Sequence, residues 1–184
     1  MTEPRSESMA PVARPRAAVV AMAIILGVFV ARPLLSGTGP MMALFAVLLF
    51  AGVAWPLAAD PERGSAALAL VVGVGAFLLG RLLGGGHQSA PLRAPYLAEI
   101  IVAAVAEEAF FRRFVYGVLR PGGVALAVGG STVLFAIAHV TVYGWWVLPL
   151  DLAAGLVLSW QRWSSGSWTV PAATHVIANL LVVL

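Results

Sequence analysis

The chain has 184 residues, 61% of them hydrophobic and only 10% charged, with a mean hydropathy of +0.96; soluble domains carry charge on about a quarter of their residues, so this is an integral membrane protein. Its net charge of +3 comes from arginines placed at the ends of apolar runs, the pattern of topology signals and headgroup contacts and not of a nucleic-acid surface. No cysteine is present, which excludes disulfides, thiolate nucleophiles and cysteine-bound metals.

Residues 1–16 carry Glu3, Arg5, Glu7, Arg14 and Arg16 among Pro, Ser and Ala, too polar to bury a surface, so a disordered tail is expected. A single all-α transmembrane domain over 17–184 follows. At about 20 residues per crossing it is a polytopic helical bundle of about six or seven spans. Residues 17–35 read as a retained first span and not a signal peptide, because no small-x-small cleavage site follows and Arg32-Pro33 suits a span end. Residues 41–57 form a second run, closed by the polar turn Asp60-Pro61-Glu62-Arg63-Gly64. The third, 66–83, is rich in Gly and Ala, which let helices approach closely.

A glycine-rich connection over 84–89 contains His87, read as a solvated loop side chain, and Pro91 and Pro95 set the start of the fourth helix. Arg120-Pro121-Gly122-Gly123 ends that helix. Residues 124–143, 146–160 and 168–184 then form a fifth, sixth and seventh. Trp145, Trp146, Trp160, Trp163 and Trp168 fall at predicted span ends, as interfacial anchors do. With seven spans, Arg14, Arg16, Arg63, Arg120 and Arg162 share one side, which makes the N-terminus cytoplasmic in a multi-pass cell-membrane protein. Arg32, Arg81 and Arg93 fall on the other side.

The fourth run contains Glu107, Glu108, Arg112 and Arg113. Each charge costs roughly 2.5–3.5 kcal/mol at the centre of a span on insertion scales, so four together need partners or a purpose. Glu108 and Arg112, four apart, can pair on one helix face. Glu107 has no partner on its own helix, and Arg113, six residues further, is expected to snorkel to the interface. Later spans hold His139, Asp151, His175 and Asn179, with Phe135 and His139 four apart on one helix and His175 and Asn179 four apart on another. A carboxylate, two imidazoles and an amide on three helices are the parts of a site that activates water, through a general base or on a metal.

Buried histidines also serve as hydrogen-bonding glue between spans, which keeps open a non-catalytic immunity or partner-binding protein. A small proton-coupled transporter built on Glu107, Asp151 and the histidines is the third reading. His-Glu-x-x-His, Gly-x-Ser-x-Gly and a pair of span-borne aspartates are all missing, which disfavours the familiar zinc, serine and aspartyl patterns.

In order, Glu107-Glu108-Ala109-Phe110-Phe111-Arg112, Phe135-Ala136-Ile137-Ala138-His139 and His175-Val176-Ile177-Ala178-Asn179 resemble the Glu-Glu-x-x-x-Arg, Phe-x-x-x-His and His-x-x-x-Asn motifs of the CPBP family. These are the CAAX-protease and bacteriocin-processing membrane proteins that include the CAAX prenyl endopeptidase. The resemblance covers residues 96–184, the expected catalytic core. Arg113 departs from it, standing where members commonly carry glycine. The resemblance implies an intramembrane endopeptidase in which Glu107 and His139 activate water, while His175 and Asn179 stabilise the oxyanion or complete the water site. Glu108, Arg112 and Phe135 would support them. Members are often labelled metalloproteases, so a divalent metal such as zinc on Glu107, His139, His175 and Asn179 and a metal-free mechanism both stay open. The implied partners are membrane lipids and a membrane-associated peptide or protein, with no nucleic acid. The arginine-only, alanine-rich composition looks bacterial, a setting that generally lacks CAAX prenylation, so a prenylated substrate does not follow.

Overall fold

The computed structural model describes residues 15–57, 60–84 and 93–183, which are mostly helical, with no strand among them. Among them, α1 (Pro15–Val30), α2 (Thr38–Ala54) and α3 (Ala66–Gly84) precede a composite fourth helix. This α4 is α-helical over Ala94–Glu108, π-helical over Ala109–Val115 and α-helical again over Tyr116–Leu119. The helices α5 (Val124–Tyr143), α6 (Leu148–Ser165) and α7 (Thr169–Val183) complete the bundle. Most of the expected N-terminal tail, and the glycine connection with His87 and Pro91, lie outside the described residues. Pro95 sits in the first turn of α4, where a missing N–H breaks no helical bond.

By length and composition α3 and α5 can cross a membrane, and α1, α2 and α7 are shorter apolar helices. Leu68, Val71, Leu79, Leu82 and Leu83 of α3 are exposed, a face suited to lipid and not to water. At the junction of α5 and α6, Trp145 and Trp146 are exposed, as expected of anchors.

The core is aromatic and centres on the π-helical segment. Phe110, Phe111 and Phe114 are completely buried there, with Phe29 of α1 and Leu48 of α2 beside them. Phe111 meets Phe29 edge-on at 5.8 Å and Phe135 of α5 at 5.4 Å between ring centroids, the arrangement that ring quadrupoles favour. α2 comes so close to α4 that a methyl group on Gly52 would stand 2.4 Å from the carbonyl oxygen of Ala109. That backbone cannot yield cheaply. Gly52→Val is therefore expected to cost about 1–3 kcal/mol and to lower the thermal midpoint of the purified protein in detergent.

The wider turn redirects two groups. The Tyr116 N–H bonds to Phe111 O, five residues back, and to Arg113 O, while the carbonyl of Arg112 accepts a 2.9 Å bond from Arg162 Nε of α6. Such π segments inside α-helices often mark functional sites. Arg113 does not snorkel as the sequence suggested. Its Nη1 donates to the carbonyls of Gly52 and Trp55, so it caps the C-terminus of α2, where free carbonyls and the helix dipole favour a cation.

Polar contacts staple the end of the bundle at the α2–α3 connection. Asp60 pairs with Arg120 at 3.0 Å and Arg162 at 3.2 Å, and the N–H groups of Arg63 and Gly64 both donate to Ser164 O at 2.9 Å. Gly166 has φ +67° and lies against this turn, with Asp60 O 2.9 Å from where a Cβ would stand. Three arginines placed as topology signals are thus also tied into the structure. Asp60→Asn keeps an acceptor but removes the charge, and is expected to cost about 1–2 kcal/mol, seen as a lower midpoint in thermal unfolding.

Candidate active site

Glu107 is the last residue but one before the π segment and is 7% exposed. Its Oε2 lies 3.5 Å from His139 Nε2. The other imidazole nitrogen, Nδ1, is 2.9 Å from Phe135 O. A carbonyl only accepts, so Nδ1 carries the proton and Nε2 is turned to Glu107. This pair comes from helix periodicity, because residues four apart on α5 put the carbonyl of Phe135 under the ring of His139.

The second acid has a different surrounding. Glu108 and Arg112 are completely buried, with Oε2 and Nε 3.2 Å apart in an ion pair not aligned as a hydrogen bond. The other carboxylate oxygen lies 2.9 Å from His175 Nδ1, which leaves the Nε2 edge of that ring for other contacts. Arg112 also donates from Nη2 to Gly155 O at 3.4 Å and lies 4.3 Å from the centre of the Phe135 ring. Phe135 is the common floor, 4.4 Å from the His139 ring and 6.0 Å from that of His175. Asn179, one turn beyond His175, makes only a 3.5 Å contact with Ile100 O.

Glu107, Phe135, His139, His175 and Asn179 line one cavity of about 870 Å³. Glu108 and Arg112 lie behind it. The two histidines line this cavity from different helices, and His175 lies near the middle of the 15-residue α7. The wall reaches outside the 96–184 stretch to Arg32, Phe45 and Phe77. Asp151, Tyr143 and Glu99 also line it. Sequence reasoning placed Arg32 among the topology signals and left Glu99 unremarked; the signal for Glu99 was an acid two turns before Glu107 on the same helix.

Among the described residues no three His, Asp or Glu side chains gather closely enough to hold a metal ion. The arrangement is a carboxylate–imidazole pair with a second imidazole and an amide across the same cavity. Glu107 and His139 can take a proton from a bound water, while His175 and Asn179 present nitrogen atoms to the same space.

The chain is thus an all-helical bundle with apolar, lipid-suited faces and an acid–imidazole pair in the wall of a cavity. Residues 89–181 match the model of the Type II CAAX prenyl endopeptidase Rce1-like family, and the chain belongs to that family of CAAX-type membrane proteases. No curated protein and no solved structure matches the chain.

Proposed function

We propose that the chain is an intramembrane endopeptidase that hydrolyses a peptide bond of a membrane-associated substrate with water activated by Glu107 and His139. The observation that carries this reading is the 3.5 Å approach of Glu107 Oε2 to His139 Nε2 in the wall of a cavity shared with His175 and Asn179. With Nδ1 protonated, neutral His139 offers a lone pair at Nε2, so two acceptors face each other. A water donating one hydrogen to each satisfies both.

In the reaction the water oxygen attacks the scissile carbonyl carbon as its proton passes to the Glu107 carboxylate. The carbonyl oxygen becomes an oxyanion, and the Asn179 amide N–H and, when its ring carries both protons, His175 Nε2 are the donors within the cavity to receive it. The carbon–nitrogen bond then breaks, and Glu107 returns its proton to the leaving amine. Glu108 holds His175 through Nδ1, and Phe135, with Arg112 over its ring, packs beside both imidazoles. Supporting residues and reacting residues are thereby separate.

The arginine distribution supports a multi-pass chain in the cell membrane with a cytoplasmic N-terminus. The purified protein in liposomes is expected to cleave a membrane-tethered peptide and release a new amino terminus detectable by mass spectrometry. Loss of that activity in Glu107→Ala supports the mechanism, and undiminished activity sinks it. No cleavage combined with proton flux across the liposomes would replace it with a transporter.

A further inference from the structure

Arg32 lies in the turn between α1 and α2, away from the motifs, yet it lines the same cavity as Glu107 and His139. It is 6% exposed. The guanidinium lies 3.8 Å from the centre of the Phe29 ring, which supports its underside, and Nη1 is buried with no hydrogen-bond partner. Among the described residues no ion pair joins Arg32 to an acid. The nearby acids do not bond to it: Glu107 faces His139, and Glu107 first, then Asp151, act on Arg32 only through their longer-range fields.

Asp151 Oδ2 is also buried without a partner, but the two cases differ chemically. A carboxylic acid can shed its charge by taking a proton, whereas a guanidinium stays charged. A permanent cation buried in a cavity wall is therefore the group that needs an anion from outside. Its planar fork matches a carboxylate, with Nη1 free for one of the two bonds.

From this we infer that Arg32 binds a carboxylate of the substrate and so sets which peptides the cavity accepts. The inference rests on the cavity being the substrate site. The carboxylate is either the terminal α-carboxylate of the peptide or an acidic side chain, and Arg32 then acts through substrate affinity, not through the chemical step. Phe29 holds the guanidinium in place by packing and cation–π attraction.

Equilibrium binding to the full chain in detergent micelles tests this without turnover. Three palmitoylated peptides of Ala, Gly, Ser and Val serve as probes: one ending in a free acid, one in a carboxamide, and one in a carboxamide with an internal Asp. Either carboxylate peptide is expected to bind at least about tenfold tighter than the neutral one, and Arg32→Gln or Arg32→Ala should erase that difference. Preference for the free acid identifies the α-carboxylate, and preference for the Asp peptide identifies a side chain; both support the assignment. Equal binding of all three to the native chain overturns it even if neither variant folds, as does a preference that survives in the variants. Hydrolysis is measured separately, so an inactive protein that still prefers carboxylates sinks the protease reading and not this one.

Discussion

Replacing Glu107 by glutamine is expected to lower kcat for a membrane-tethered peptide by about 10² to 10⁴-fold, the usual weight of a positioned general base. KM should change far less. The amide has nearly the shape of the acid and can donate a hydrogen bond to His139 Nε2, so the folded protein should keep its thermal midpoint. It can no longer accept the proton of the attacking water. A carboxylate serving only to glue α4 to α5 would give the opposite result, with a lowered midpoint and no specific loss of turnover. Measuring kcat, KM and midpoint on one preparation separates the two, and unchanged kcat with reduced stability would remove Glu107 from the reaction.

Helical spacing predicts the local pairs that line this cavity, but not that three helices converge on it. Glu108 and Arg112 are paired, as residues four apart on a helix allow, and Phe135 with His139 and His175 with Asn179 each present two groups to the same cavity. Spacing failed where tertiary contacts decide. Arg113 looked like a snorkelling cation because nothing in the sequence shows that α2 ends beside it with open carbonyls. The π turn was illegible for the same reason, since a run such as Ala109-Phe110-Phe111 reads as ordinary helix until Gly52 and Arg162 press on it from two sides. Arg32 has the clearest lesson: a lone arginine beside a proline at a span end carries the same sequence signal whether it meets headgroups or turns inward over Phe29.

Glu108→Ala should be among the most damaging changes to stability in the chain, at about 3–5 kcal/mol. Glu108 and Arg112 are both fully buried, so removing the acid leaves the guanidinium in a low-dielectric core with Arg112 Nη1 already lacking a hydrogen-bond partner. Removing both charges is different. The double substitution Glu108→Leu with Arg112→Met replaces a buried ion pair by apolar groups of similar length, and such exchanges are often neutral or stabilising. The double variant should therefore recover most of the lost midpoint. It should not recover hydrolysis, because Glu108 also holds His175 through a 2.9 Å contact to Nδ1, and without it the ring is free to turn away from the cavity. A stable but inactive double variant would place the ion pair in the job of orienting His175. Recovery of both properties would instead make Glu108 and Arg112 a packing device, leaving the chemistry to Glu107 and His139 alone.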